Sequence, residues 1–136
     1  PVQTFHLMGQ SVVTLRGARA LADTECTIHG ILQIDGCEMD IVSISRLLWR
    51  VRKHEGQWLI AGLRSLYIRD MLLPLNPNRV PQLDQDLLAT LRPSYRYIAY
   101  TTAKAGHAVP DDLPGVDRPE LEAALRLGEQ DWLDRG

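Results

Sequence analysis

The feature that most constrains the fold is the stretch from Cys37 to Leu75, which predicts a long β-hairpin. Residues 41–52 and 58–69 are both rich in β-branched, aromatic and aliphatic side chains, and a glycine-containing turn over residues 53–57 separates them. Strands of this length twist and curl, so the hairpin is expected to form a concave surface. The functional question is what occupies that concavity.

Two further strands are predicted before this hairpin. Residues 11–15 predict a short strand, residues 18–33 predict a long one, and Asp35-Gly36 is a typical hairpin turn that leads into the third strand. Under strict alternation, one face of the long strand is polar and charged, and the other is small and apolar. A small-residue face usually allows a helix to pack closely. Its members are Ala18, Ala20, Ala22, Thr24, Cys26 and Ile28.

The chain after the hairpin is predicted to be helical. Prolines end the sheet, a short helix is expected over Leu83–Leu91, and Pro93 opens another that runs to about Ala105. Asp117 is the expected N-cap of a final helix, with Glu120 as its capping-box partner. The predicted fold class is therefore α+β, with a curled antiparallel sheet of about four long strands and C-terminal helices. It forms a single domain, with the sheet over residues 1–75 and a helical extension over 76–136.

Composition limits the partners and the compartment. The net charge is −2 and the pI is near 6.1, so the chain as a whole does not attract nucleic acid or an anionic membrane. Cys26 and Cys37 could pair across neighbouring strands, but a reduced pair in the cytoplasm is the favoured interpretation. Neither a signal peptide nor an apolar run approaching the roughly 18 residues of a membrane span is visible. The prediction is a cytoplasmic protein with no nucleic-acid or membrane partner.

No standard cofactor or metal motif is found. The sequence has no phosphate loop, no dinucleotide-binding glycine pattern, no nucleophile elbow and no helical zinc motif. Cys26 and His29 come closest to a metal-ligand pair, and alternation places them on opposite strand faces. We therefore predict no cofactor and no metal site.

Arginines on the hairpin are candidates for ligand binding. Under strict alternation, Arg64 falls on a face shared with Trp58, Ile60 and Leu66, where a guanidinium needs a carboxylate or a ligand anion to offset its desolvation. Arg46 raises the same question on the third strand. A buried structural ion pair and a substrate contact both remain open for these residues.

Two histidines lie close to the predicted sheet. His6 precedes the first strand, and His29 shares a strand face with Arg19, Asp23 and Glu25. From alternation alone, His29 is either a surface residue or part of a pocket lining. Because histidine is the commonest general base near neutral pH, both are candidate catalytic residues.

Several segments resemble the nuclear-transport-factor-2-like superfamily, and within it the SnoaL-like branch that includes scytalone dehydratase relatives. His-Leu-Met-Gly at residues 6–9, Val12-Val13 and Gly-Ala-Arg-Ala at residues 17–20 are similar to the strand entry of that family. The hairpin over residues 46–64, with its Gly-x-Trp-x-Ile core, is similar to the last hairpin of the family. The resemblance covers about residues 3–75.

This resemblance implies a cone-shaped fold with a mostly apolar pocket. It places His6 at the position of the general base, His29 near a second pocket histidine, and Arg64 in a strand where some members carry a substrate-orienting arginine. Trp49 and Arg46 are predicted to contact the substrate beside Arg64. The N-terminal helices of the family, with the aspartate that supports the base, are not in this chain. A segment preceding Pro1, or another chain, is expected to supply them.

Two functions are consistent with these observations. The first is a cofactor-free lyase or isomerase, dehydratase-like, that acts on a small apolar or aromatic substrate with histidine as general base. The second is a non-catalytic ligand-binding or dimerisation module of the same fold. In either case we expect a homo-oligomer, a dimer or a trimer.

Overall fold

A computed structural model describes residues 3–135 of the protein. Its four strands form one open antiparallel sheet in chain order, so the predicted α+β class, with a curled sheet and C-terminal helices, is confirmed. Each strand pairs with the next one along the chain, which gives a meander. The strands are β1 (Gln3–Arg16), β2 (Arg19–Ile34), β3 (Cys37–His54) and β4 (Gln57–Pro74).

Two-residue turns join β2 to β3 and β3 to β4. Asp35 and Gly36 have φ values of 48° and 72°, and Glu55 and Gly56 have 48° and 81°. Positive φ at both central residues is typical of the turns whose twist matches that of the flanking strands. The predicted hairpin over 37–75 is thus confirmed, and its turn is shorter than the predicted residues 53–57.

Strand β1 is much longer than the predicted segment of residues 11–15. It begins at Gln3 and pairs with β2 along its whole length, except at Gly9 and Gln10, where the register shifts. The sequence prediction was wrong here because glycine and glutamine are poor strand formers in isolation. A β-bulge places both residues in a continuous strand.

Two further bulges in β4 change which residues share a face. The register shifts between Arg50 and Val51 and between Ile44 and Ser45, which leaves Ala61 and Ile68 outside the ladder. Cross-strand partners lie on the same face of a sheet. Arg64 is opposite Leu48, so it does not share a face with Ile60, and the strict alternation used to place it was wrong.

The sheet has two chemically different faces. The charged face carries most of the ionic side chains of β2 and β3, among them Arg19, Asp23, Glu25, His29, Asp40, Arg46 and Arg50. The apolar face carries the small and aliphatic side chains that alternate with them, namely Ala20, Ala22, Thr24, Cys26, Leu47, Trp49 and Val51. We call the half of the sheet that contains the Glu55-Gly56 turn the distal half, and the half that contains the Asp35-Gly36 turn the proximal half.

Helices cover the apolar face in the proximal half only. A short 3-10 turn, Pro93–Tyr95, leads into α2 (Arg96–Lys104), and α1 (Gln85–Thr90) precedes both. The carboxylate of Asp70 accepts hydrogen bonds from the backbone N–H groups of Tyr97 and Ile98, both at 2.8 Å, and burial nevertheless raises its pKa. Tyr95 and Tyr100, from the 3-10 turn and from α2, are both buried.

The chain then crosses the β4 edge to the charged face. The N–H of Tyr67 donates to the carbonyl of Pro114, and the N–H of Val116 donates to the carbonyl of Tyr67, both at 3.0 Å. Beyond this strap, residues 110–117, the final helix α3 (Pro119–Asp134) docks on the charged face of the distal half. Arg50 contacts the buried carboxylate of Glu129 through two hydrogen bonds of 2.8 and 3.0 Å.

Arg92 organises the strap. Its Nε and Nη2 donate to the carboxylate of Asp117 at 2.9 and 2.7 Å, and its Nη1 donates to the carbonyls of Asp111 and Leu113, both at 2.7 Å. The hydroxyl of Ser94 also donates to Asp117.

The predicted capping box of the last helix is therefore wrong. The N-cap of α3 is Arg118, which makes no capping hydrogen bond through its side chain, and Glu120 pairs with that arginine. Asp117 is not available as a cap because a bidentate bond to a guanidinium is stronger than a bond to a backbone N–H.

Gly115 provides the first stability test. A Cβ atom at this position would lie 2.6 Å from Oδ1 of Asp117 and 2.7 Å from Oγ of Ser94. Overpacking of this kind costs about 1–3 kcal/mol, so Gly115→Ala is expected to lower the free energy of unfolding by that amount in urea denaturation. Gly128→Ala is the matched control, because no neighbouring atom lies within 4 Å and α3 is expected to gain up to about 1 kcal/mol. Equal stability of Gly115→Ala and the wild type would contradict the packing described.

Asp117 provides a pH test. Hydrogen bonds from Arg92, and then from Ser94, lower the pKa of its carboxyl from 3.8 to about 2. A depressed pKa in the folded state contributes stability above the unfolded value of 3.8, and this contribution is lost as the pH falls towards 2. Over that range, we expect the free energy of unfolding of the wild type to fall by about 1–2 kcal/mol more than that of Asp117→Asn. At pH 7, the variant is expected to be less stable than the wild type. If the stability of Asp117→Asn changed with pH in parallel with that of the wild type, the assignment would be contradicted.

Candidate functional site

The apolar face of the distal half is open to solvent. Large aliphatic side chains on its two outer strands are strongly exposed: 62% for Val13 and Leu15 on β1, 67% for Ile60 and 45% for Leu63 on β4. Within residues 3–135, the final helix docks on the opposite, charged face, through Arg50 and Asp23. The expected helix cover over the small residues of β2 is therefore not provided by this part of the chain.

A shallow trough runs along this open face. A cleft of about 340 Å³ is lined by Met8, Gly9, Ser11, Ala22, Thr24, Trp49, Val51 and Ile60, none of which is charged. Small side chains from β2 form the floor, and longer side chains from β1 and β4 form the rims. The two hydroxyls in the cleft, those of Ser11 and Thr24, lie 2.6 Å apart and satisfy each other. The trough is therefore suited to an apolar occupant.

The dimensions of the trough match a helix. Three strand spacings separate β1 from β4, which corresponds to about 14 Å. An α-helix with its side chains is about 10–12 Å across. The proximal half of the same face already holds α2, whose Ala99 and Tyr100 are buried.

Cys26 lies between these two halves of the apolar face. It is 2% exposed, and burial raises the pKa of its thiol. Cys26 and Cys37 are both free thiols, so the alternative in which they pair is not realised. A buried thiol with a raised pKa is a poor nucleophile, which makes Cys26 a packing residue.

His29 has an acidic partner, and it lies on the charged face. Its Nδ1 is 2.8 Å from Oδ2 of Asp40, on the neighbouring strand. The ring of Phe5 stacks on the imidazole with 4.6 Å between centroids and 3° between planes. The other carboxylate oxygen of Asp40 is buried, and it has no hydrogen-bond partner among the described residues.

His6 and His29 point to opposite sides of the sheet. His6 is opposite Ile28, which places it on the apolar face, whereas His29 is opposite Phe5. The offset of one residue reverses the direction of the side chain. No single pocket can therefore include both of the histidines predicted to be catalytic, and the one with an aspartate partner is His29.

The other predicted site residues are divided in the same way. Trp49 lines the trough on the apolar face. Arg46 lies on the charged face, where its Nε donates to Asp23 at 2.7 Å and its Nη1 is 3.5 Å from Glu25, so it forms a structural ion-pair cluster. Arg64 also lies on the charged face but is exposed, and among the described residues it forms no ion pair. The expectation that its guanidinium is desolvated was wrong.

A second cleft, larger than the trough, was not predicted from the sequence. It has a volume of about 670 Å³ and lies between the end of β2, the segment just before α1, and the C-terminal part of α2. Three of its polar groups contact one another: the hydroxyl of Tyr100 accepts from the N–H of Asp84 at 3.0 Å, and Lys104 lies 3.2 Å from the Asp84 carboxylate. No sequence motif signals this cleft, because it is created by the way α2 packs on the sheet.

None of the helices in residues 3–135 is long and apolar enough to span a membrane. No protein-family model matches the chain.

Sequence comparison with curated proteins finds fungal relatives. The chain is 32% identical over 107 residues to pea pathogenicity protein 2 of Fusarium vanettenii, a match that covers 78% of the chain and 46% of the relative. It is 32% identical over 129 residues to a PEP2-like protein of the same fungus, with 90% and 55% covered. An uncharacterized protein of Emericella nidulans is 29% identical over 134 residues, with 90% and 56% covered. The chain therefore spans about half the length of the curated relatives it matches.

Proposed function

We propose that this chain is a binding module of the pea pathogenicity protein 2 type, with a nuclear-transport-factor-2-like fold of the SnoaL branch. Its apolar face in the distal half holds the apolar side of an α-helix. The observation that carries the proposal is the uncharged trough rimmed by Val13, Leu15, Ile60 and Leu63. A large exposed apolar patch on a soluble domain is typical of an interaction site.

The energetics favour an apolar occupant. Complete burial of one valine, leucine or isoleucine side chain contributes about 1.5–3 kcal/mol. The four rim residues are 45–67% exposed, so a helix that covers them removes a substantial apolar area from water. The two hydroxyls in the trough are already paired, so covering them leaves no unsatisfied polar group there.

A suitable helix has a plausible source in the relatives. Each curated relative contains about as much chain again outside the matched region. The resemblance to the nuclear-transport-factor-2-like superfamily implies helices that pack against the sheet. The same protein or a partner chain could supply them, and in both cases the helix must present an uncharged face.

A charge placed in the trough tests the proposal. Ile60→Lys puts an ammonium on the apolar face, whereas Leu59→Lys, at the adjacent and also exposed position, puts it on the charged face. We expect Ile60→Lys to weaken binding of the neutral fluorescent apolar probe Nile red by about tenfold, which corresponds to about 1.4 kcal/mol. Leu59→Lys should bind the probe like the wild type.

A second measurement identifies the occupant. A synthetic peptide that forms an amphipathic helix should displace the probe from the wild type, and a scrambled peptide of the same composition should not. Equal probe binding by the two lysine variants would contradict the site. Failure of the helical peptide to compete would contradict the helix and favour a small apolar ligand.

The pair of His29 and Asp40 supports a second candidate function. A histidine whose Nδ1 contacts a carboxylate at 2.8 Å is oriented to accept a proton through Nε2. Under this second candidate function, the chain is a cofactor-free lyase or isomerase of dehydratase type, with His29 as the general base in place of His6. Phe5, stacked on the imidazole, would contact a small aromatic substrate.

A probe of general-base catalysis tests this candidate. The base-catalysed ring opening of 5-nitrobenzisoxazole requires only proton removal from an apolar aromatic substrate. If His29 is the base, His29→Ala should reduce the rate of the protein-dependent reaction by about 100-fold, and Asp40→Asn should also reduce it. His6→Ala is the control and should react like the wild type. Unchanged rates for His29→Ala would contradict the catalytic role.

A cytoplasmic location remains part of the proposal. It is supported by the two buried, free cysteines, since secreted domains usually contain disulfides.

A further inference from the structure

The outer edge of β1 is unusual for an edge strand. The sheet order places β1 at one side, with β2 as its strand partner and no other strand beside it within residues 3–135. An edge strand presents a row of unpaired N–H and C=O groups that can pair with another chain. The edge is therefore a site for an added strand unless the sequence protects it.

Most of the usual protective features are missing from β1. Edge strands are commonly short, or carry lysine, proline or inward-pointing charges. Strand β1 has 14 residues, with neither proline nor lysine, and its single arginine is the last residue, Arg16. The bulge at Gly9 and Gln10 is the one feature of β1 that can protect an edge, and it interrupts the strand at a single point with six paired residues on each side.

The side chains of β1 resemble those of an interior strand. A strand that is buried on both faces has apolar residues on both, whereas a half-exposed strand alternates. Strand β1 exposes apolar side chains on both faces of the sheet. On the charged face these are Phe5, Leu7 and Val12, at 50%, 56% and 67%, and on the apolar face Met8, Val13 and Leu15, at 49%, 62% and 62%.

The opposite edge of the sheet, formed by β4, is partly paired and carries charged side chains. At Tyr67, the backbone of β4 is already paired with Pro114 and Val116 of the strap. The strand also carries the exposed arginines Arg64 and Arg69. One edge is thus partly closed and charged, and the other is open and apolar.

We propose that the β1 edge pairs with the β1 edge of a second copy of this chain, in antiparallel orientation about a two-fold axis. The bulge divides the strand symmetrically, with six residues on each side, Gln3–Met8 and Ser11–Arg16. An axis through the bulge places each half of one strand against the other half of its partner. The two four-stranded sheets then form one continuous sheet.

The sequence of β1 is compatible with itself in this register. Leu7 of one copy lies opposite Val12 of the other, and Phe5 lies opposite Thr14. No pair of like charges is opposed, because between the ends of β1 the one titratable side chain is His6, which lies opposite Val13. Directly opposed aliphatic pairs of this kind each stabilise a sheet by up to about 1 kcal/mol.

The edge contact and the helix-binding trough share the β1 side chains Val13 and Leu15, but the two proposals are tested at different positions. The edge contact uses the backbone and outer side chains of β1, whereas the trough is tested through Ile60 and Leu59 of β4. The two proposals can therefore fail separately.

Light scattering coupled to size-exclusion chromatography provides the first test. We expect the wild type to be a dimer at micromolar concentration, and Val12→Lys to raise the dimer dissociation constant at least tenfold. Leu59→Lys, an exposed apolar position on the other edge strand, is the control and should remain dimeric. Circular dichroism establishes that each variant is folded.

A cross-linking test fixes the register. The double variant Leu7→Cys with Val12→Cys should form a covalent dimer on mild oxidation, because these positions face each other across the proposed axis. Within one chain they are five residues apart, or about 17 Å, well beyond the roughly 7 Å limit between disulfide-bonded Cα atoms. The double variant Leu7→Cys with Val13→Cys should not cross-link, since its two cysteines are on opposite faces.

A wild-type monomer at high concentration would overturn the proposal. A dimer that Val12→Lys leaves intact would also overturn it, as would a dimer that the Leu7→Cys, Val12→Cys variant does not cross-link. We expect Val12→Lys to lose the dimer. Of the two double variants, only Leu7→Cys with Val12→Cys should cross-link.

Discussion

The bidentate bond between Arg92 and Asp117 holds the C-terminal half of the protein on the sheet. Through the same guanidinium, the carbonyls of Asp111 and Leu113 fix the strap against the β4 edge, where it pairs with Tyr67. Only because the strap crosses that edge can α2 lie on one face and α3 on the other. The pair is largely shielded from solvent, so the loss of one partner would leave a costly unpaired charge in the other.

Much of the fold could be predicted from local sequence. The hairpin of residues 37–75 and the helices after Pro81 follow from turn residues, strand-forming residues and proline positions, which act over a few residues. The face of Arg64 could not be predicted, because it depends on bulges at Ala61 and Ile68 that only the pairing with β3 reveals. The role of Asp117 was missed for a similar reason, since its partner is 25 residues away and a local capping pattern was present.

The candidate site shows the same division between local and distant information. The small-residue face of β2 forms the floor of the trough and Trp49 lines it, but the helix expected to pack there is not among the described residues. The two histidines were brought into one pocket by resemblance alone, and the pairing of His6 with Ile28 separates them. The aspartate beside His29 is on β3, and its contact depends on the register between two strands rather than on any spacing within one.

The crowding at Gly115 has a consequence for how such chains can be recognised. Gly115 packs against Ser94 and Asp117 with no space for a methyl group. Four residue types must therefore occur together: an arginine, a serine two residues later, and a glycine two residues before an aspartate. In this chain they are Arg92, Ser94, Gly115 and Asp117. A longer protein that carries this set behind a four-strand meander can be expected to wrap the sheet edge in the same way, whatever occupies its apolar face.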